Sequence, residues 1–355
     1  MARSTTPDLP ANPIPVDIGA LATWMDEQGL PGGGPIDLRP LTGGTQNVMV
    51  VVSRGGHDYV LRRGPRHLRP RSNAAIAREM TLLSALGSTD VAHPRFVAGS
   101  ADTDILGASF FLMEPVDGFN AADSLPASYA RTADGRAAMG YALVDALAGL
   151  AGVDHSAIGL DGFGSPDGFL ERQVPRWLAE HERYSATPGY QGGTFPDLER
   201  IARWIEDNRP ADFRPGLLHG DYHVANVLYD HRTPAVAAIV DWEMATVGDP
   251  LLDLGVLLAI WPDGPRHPDL YESALGLAGD LPSRSSIIAR YAERSDRNLD
   301  ALDWYTALAG FKLGIILEGT YARSCEGKAP RDVGERLHRY ADGLFVRARR
   351  IVASA

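Results

Sequence analysis

Cysteine is almost absent: Cys325 is the single thiol in 355 residues. No internal disulfide can form, and a reducing compartment fits better than secretion. Long apolar runs are missing too. The most apolar stretch, Leu251 to Trp261, is broken by Asp253 and falls short of the roughly 20 residues that a membrane helix needs. The opening residues, Met1 to Pro15, contain Pro and Thr but no continuous apolar core, so they do not read as a signal peptide. Positive charge is in deficit, with 34 Lys and Arg against 45 Asp and Glu and a net charge of −11. A nucleic-acid binder would normally carry a basic face. These absences lead to the expectation of a soluble cytoplasmic protein with no membrane or nucleic-acid partner.

What is present suits a globular chain, with 45% hydrophobic and 22% charged residues. The length exceeds one compact domain, so two lobes are expected. Nothing in the pattern fixes an oligomeric state. After a Pro- and Thr-rich lead, a helix is expected near Val16 to Gln28, followed by the turn Gly32-Gly33-Gly34. The β-branched run Val48 to Val52, the turn Arg54-Gly55-Gly56 and the segment Tyr59 to Leu61 read as a hairpin. Ala74 to Leu86 has helical spacing, and strands are expected near Arg95 to Ala98 and Ser109 to Met113. Beyond Pro115 helices dominate: Gly135 to Gly152, Gly168 to Ser185, Pro196 to Asn208, Leu299 to Ser324 and Arg331 to Ile351. The expected fold is α+β, with a small β-rich lobe over residues 1–115 and a larger, mainly helical lobe over residues 116–355.

The helical part is interrupted by a strand-rich block, Leu217 to Asp241, that holds the densest polar chemistry. Leu217-Leu218-His219-Gly220-Asp221 leads through Asn226 to Ala237-Ala238-Ile239-Val240-Asp241-Trp242-Glu243. The flanking apolar runs read as short buried strands, which places Asp221, Asn226 and Asp241 at the ends or turns of a hairpin-like unit. Burying acids there without a use would be costly. Phosphoryl transfer needs a carboxylate to orient a hydroxyl, together with oxygen ligands that hold Mg²⁺ on the phosphates. The alternation His219, Asp221, His223 also leaves open a hydrolytic metal centre.

The pattern His219-Gly220-Asp221-x-x-x-x-Asn226 followed by Asp241-Trp242-Glu243 resembles the aminoglycoside phosphotransferase and choline kinase superfamily, a branch of the two-lobed protein-kinase-like fold. The resemblance implies Asp221 as catalytic base, Asn226 and Asp241 as Mg²⁺ ligands, and His219 as an orienting group. It continues through Gly248-Asp249-Pro250-Leu251-Leu252-Asp253-Leu254, whose acids are expected to brace the catalytic loop. ATP is the implied phosphoryl donor, and a small-molecule hydroxyl the acceptor.

In the first lobe, Gly43 and Gly44 allow backbone amides to approach phosphates, and Thr45 and Asn47 add donors. Strand alternation sets Val60 and Arg62 on one face, and the resemblance implies Val60 at the adenine and Arg62 at the phosphates. Kinases usually carry lysine there. The Leu61-Arg62-Arg63 departure resembles the branch related to the phosphotransferase portion of certain acyl-CoA dehydrogenases. Glu79 matches the carboxylate that pairs with the strand cation. The run Phe110 to Val116 resembles the adenine hinge, with the Glu114 carbonyl as acceptor and the Val116 amide as donor. The basic run Arg62, Arg63, Arg66, His67, Arg69, Arg71 reads as a solvated face or as a docking surface for a phosphorylated or CoA-bearing acceptor. The acceptor itself is expected against Trp177, Tyr305, Lys312, Glu318 and Tyr321. A nucleotide-binding regulator without turnover is the rival reading from another class.

Overall fold

The computed structural model describes residues 14–41, 47–192, 195, 197–262 and 273–354. The chain divides into two compact units. The first holds the residues to Gly87 together with Pro94–Pro115, and the second holds Ser88–His93 with everything from Val116 onward. A boundary at 115 therefore leaves out one crossing. Ser88–His93 goes with the second unit, where Ala92 accepts a hydrogen bond from the Ile239 amide at 2.8 Å.

The first unit is built on an antiparallel sheet of β1 (Ile36–Pro40), β2 (Val48–Arg54), β3 (His57–Arg63), β4 (Phe96–Ser100) and β5 (Phe110–Met113), in the order β1-β2-β3-β5-β4. Gly55 and Gly56, both at positive φ, close a two-residue turn between β2 and β3. That turn fits the strand twist and fixes the register. The period of two then sorts the side chains. Val50, Val52, Tyr59, Leu61, Phe110 and Leu112 form one core with Leu21, Trp24 and Met25 of the Ile18–Glu27 helix. The Trp24 ring meets Phe110 edge-on at 4.7 Å. Asp17 caps this helix by accepting from the Ala20 amide. Val60 and Arg62 alternate with Tyr59 and Leu61, and Glu79 comes from the Ser72–Leu86 helix.

The second unit is mainly helical. Its longest members are Ala133–Ala151, Leu302–Cys325 and Arg331–Ser354, with Gln173–Tyr184, Leu198–Asp207, Leu251–Ile260 and Arg284–Arg294 between them. Among the described residues, four short strands interrupt it as nested hairpins. The outer pair joins β6 (Gly216–Leu218) to β9 (Thr246–Gly248), and the inner pair joins β7 (Val227–Tyr229) to β8 (Val236–Ile239). Nesting matters because the β6–β7 loop and the segment after β8 lie at the same end of the two hairpins. Among the described residues, no helix is long and apolar enough to cross a membrane.

Candidate active site

The segment His219–Asn226 joins the two hairpins, and its backbone is held from several sides. Gly220 sits at φ +86, where a side chain would place its Cβ 2.4 Å from the Met244 carbonyl oxygen. Only glycine fits that approach. The buried carboxylate of Asp253, from the Leu251–Ile260 helix, accepts the amides of His219 (2.5 Å) and Gly220 (2.8 Å). On the other face of the turn, the Lys312 ammonium donates to the Gly220 carbonyl. Asp249 accepts from the Leu251 amide at 3.1 Å and from the Tyr305 hydroxyl.

His219 is fully buried against the Trp242 ring at 4.9 Å. Its Nε2 lies 2.9 Å from the Val240 carbonyl, and its Nδ1 accepts the Asp221 amide at 3.3 Å. That pair of partners fixes one neutral tautomer. Burial pushes the imidazole down to about 4, with the Val240 hydrogen bond opposing. Asp253 is displaced the other way: burial raises it to about 6, against the His219 hydrogen bond and the Lys312 charge.

Asp221 itself is half-buried. Burial alone would raise its carboxyl. The hydrogen bond and charge of His223, with the charges of Lys312 and His219, outweigh that and hold it below the usual carboxylate range. His223 Nε2 lies 3.4 Å from Asp221 Oδ2, while its Nδ1 accepts the Ala225 amide at 3.2 Å. The Asn226 side-chain amide donates to the Asp221 carbonyl (2.8 Å) and carboxylate (3.1 Å). With its nitrogen spent on Asp221, the group that Asn226 can offer a cation is Oδ1. Asp241 follows directly: the Val240 amide donates to the Asn226 carbonyl at 2.9 Å, and Asp241 takes a left-handed backbone at φ 65, ψ 63. A non-glycine residue in that region is uncommon and concentrates at functional sites. Hard oxygens from Asn226 and Asp241 suit Mg²⁺. The alternating His-Asp-His set does not suit a metal centre, because both ring nitrogens of each histidine already face protein partners. Among the described residues, no group of three or more His, Cys, Asp or Glu forms a metal cage.

In the first unit, Arg62 and Glu79 make a buried ion pair, Nε to Oε2 at 2.8 Å. Val60 is buried opposite Met113 in the sheet register. Asn47 is half-buried at the head of β2, while Gly43, Gly44 and Thr45 lie outside the described residues. Glu114 is exposed and gives its amide to the Arg95 carbonyl, and Val116 is half-buried. The basic run splits in two. Arg63 is buried, donating twice to the Leu106 carbonyl and once to that of Gly64, whereas Arg66, His67, Arg69 and Arg71 are exposed. Arg63 is thus scaffold and no part of a solvated face.

The residues expected around the acceptor are not brought to one place. Tyr305 is bound to Asp249 and Lys312 to Gly220, both behind the catalytic loop. Glu318 is fully buried between the Tyr190 hydroxyl and His338 Nδ1, each at 2.7 Å. Tyr321 is half-buried, stacked on the His338 ring at 4.5 Å. Trp177 is buried with its ring 5.9 Å from Lys312 Nζ. The brace from Lys312 was visible in sequence only as a cation inside an apolar helix, and the part of His223 beside Asp221 only as an alternation.

Comparison with known proteins matches residues 37–287 to the phosphotransferase enzyme family. Acyl-CoA dehydrogenase family member 11 of Rattus norvegicus is 30% identical over 92% of this chain. The chain spans 42% of that relative's length. Among solved structures, a candidate aminoglycoside phosphotransferase of Ralstonia eutropha superposes with a TM-score of 0.77 at 27% identity, covering 94% of this chain and 99% of the other. An aminoglycoside phosphotransferase in a ternary complex with ADP and hygromycin B shares the fold at a TM-score of 0.58 and 14% identity, covering 94% and 97%.

Proposed function

Because the chain belongs to the phosphotransferase enzyme family, we propose that it transfers the γ-phosphoryl group of ATP to a hydroxyl of a small molecule. The observation that carries this reading is the Asp221–Asn226 contact, with Asp241 next to it across the inner hairpin. Asp221 is anionic at neutral pH and orients the acceptor hydroxyl, taking its proton as the new P–O bond forms. Asn226 Oδ1 and the Asp241 carboxylate would hold Mg²⁺, which neutralises phosphate charge when bound. Arg62, steadied by Glu79, is assigned to the phosphates in place of the usual lysine. Its guanidinium stays charged and offers two donors in one plane. Val60 is assigned to the adenine face, with the Glu114 carbonyl and the Val116 amide on its edge. Positioning and electrostatics supply most of the rate in such a reaction.

Two variants measured side by side test the assignment. Asp221→Asn should leave Mg²⁺-dependent ATP binding nearly intact while transfer falls by ~10²–10⁴-fold. Asp241→Asn should remove the Mg²⁺-dependent part of ATP affinity along with turnover. Calorimetric titration with and without Mg²⁺, run beside an ATP-consumption assay, reads both. The acceptor panel spans amino alcohols, sugars, aminoglycosides and hydroxyacyl-CoA esters, the last because the curated relatives are named as acyl-CoA dehydrogenases. Full transfer by Asp221→Asn would refute the reading. A regulator would bind ATP and turn over nothing in the panel.

A further inference from the structure

Lys312 is only 3% exposed, in a helix whose neighbours Phe311, Leu313 and Ile315 are apolar and buried. An ammonium in such a place is costly to keep, and burial lowers its pKa, with the charges of Asp221 and Asp253 opposing. Among the described residues its hydrogen-bond partner is a backbone carbonyl rather than a carboxylate. That carbonyl belongs to Gly220, so it lies in the peptide plane whose other end is the Asp221 amide. His219 Nδ1 accepts that amide. The preceding plane is held through the Gly220 amide by Asp253. Two successive peptide groups leading into Asp221 are therefore fixed by three side chains, and Lys312 alone holds a carbonyl.

We infer that Lys312 is a positioning residue for phosphoryl transfer, its ammonium locking the Gly220–Asp221 peptide so that the Asp221 carboxylate is aimed before the acceptor arrives. This rests on the phosphotransferase reading for its consequence in turnover, but not for its consequence in the loop. A neutral residue of similar length would fill the same space and leave that carbonyl without its donor. Glycine at φ +86 provides no steric brake of its own, so the peptide would gain freedom to tilt, and small misplacements of a catalytic group are expensive in rate. The indole of Trp177 on the other side of the ammonium adds a cation–π contact that favours the charged form.

The test compares Lys312→Met and Lys312→Arg in the full chain, with two readouts. Hydrogen exchange over Leu217–Asn226 reads the loop directly. Lys312→Met should exchange ~10-fold faster there, with the Ser72–Leu86 and Arg331–Ser354 helices unchanged. Steady-state kinetics should show kcat down by about 10²-fold, with the KM for ATP within about twofold. Lys312→Arg, which keeps the charge and the donor, should restore protection and most of kcat. Should Lys312→Met fail to fold, Lys312→Leu, which also removes the donor, carries the same comparison. Wild-type exchange over Leu217–Asn226 in the neutral variant, or unchanged kcat, would overturn the inference. If the wild-type chain transfers phosphate to no acceptor, the functional reading fails by itself, and the exchange comparison still decides what Lys312 does.

Discussion

Two adjacent arginines on β3 have different kinds of partner. Arg62 meets Glu79, whereas Arg63 is spent on the carbonyls of Leu106 and Gly64. Arg62→Ala is expected to weaken ATP by roughly tenfold or more, since hydrogen bonds to charged groups contribute about 1.5–3 kcal/mol. The same variant takes from the buried Glu79 carboxylate this ion-pair partner, so its global stability should fall too, by about 3–5 kcal/mol. Arg63→Ala should differ in binding: it leaves buried carbonyls without these donors at about 1–3 kcal/mol of stability, with ATP affinity unchanged in the folded fraction. Calorimetry and urea unfolding on both variants check the pair. The Arg62–Glu79 pair was legible because the resemblance supplies a strand cation and a helix carboxylate, which the strand's period of two and the following helix then locate. The buried role of Arg63 was not, since Leu106 lies 43 positions away. The same distance problem hid Tyr305 and Lys312: a polar group in an apolar helix faces either a pocket or a loop, and only the fold says which.

At the scale of elements, the nested hairpins bring two oppositely displaced groups, His219 and Asp253, into contact. An unfolded histidine takes its proton near 6.5, but the folded one not until about 4. Its contribution to stability is complete above 6.5 and lost as pH falls through 4. Asp253, raised from 3.8 to about 6, contributes fully below 3.8 and loses that contribution as pH rises through 6. The two slopes oppose each other between pH 4 and 6.5. His219→Gln removes one of them, so the variant should gain on the wild type by about 3 kcal/mol as pH falls from 7 to 4. Denaturant unfolding at several pH values measures this, and a constant difference between the two proteins would contradict it. The hairpin at Gly55-Gly56 and the long helices could be read from turn chemistry and periodicity. The Leu251–Ile260 helix could not be assigned that way, because Leu251 through Ala259 are all buried and the sequence carries no polar face to set a period. The edge strand Ile36–Pro40 was missed for a related reason, being five residues long and ending in proline.

For the whole molecule, the family match ends at residue 287, yet one of the braces behind the catalytic loop, Lys312, comes from the Leu302–Cys325 helix. That helix packs on Arg331–Ser354, whose Ala341, Leu344, Phe345, Ala348 and Val352 are buried. Ending the chain at Gly327 would expose apolar surface worth about 1.5–3 kcal/mol for each large side chain, against a total stability of about 5–15 kcal/mol. The truncated protein should lose cooperative unfolding in calorimetry; a normal transition would show the last helix to be dispensable. The course of the chain carries a different consequence. It runs from the first unit into the second at Ser88, returns at Pro94 and leaves again after Pro115. Neither unit is a contiguous block of sequence, so the halves of two relatives cannot be exchanged at one crossover. A recombinant joined at Pro115 would inherit Ser88–His93 from the wrong parent, together with the carbonyl of Ala92 that Ile239 must find at the foot of the inner hairpin. Shuffling between relatives is thereby confined to exchanges that carry those six residues along with the catalytic part.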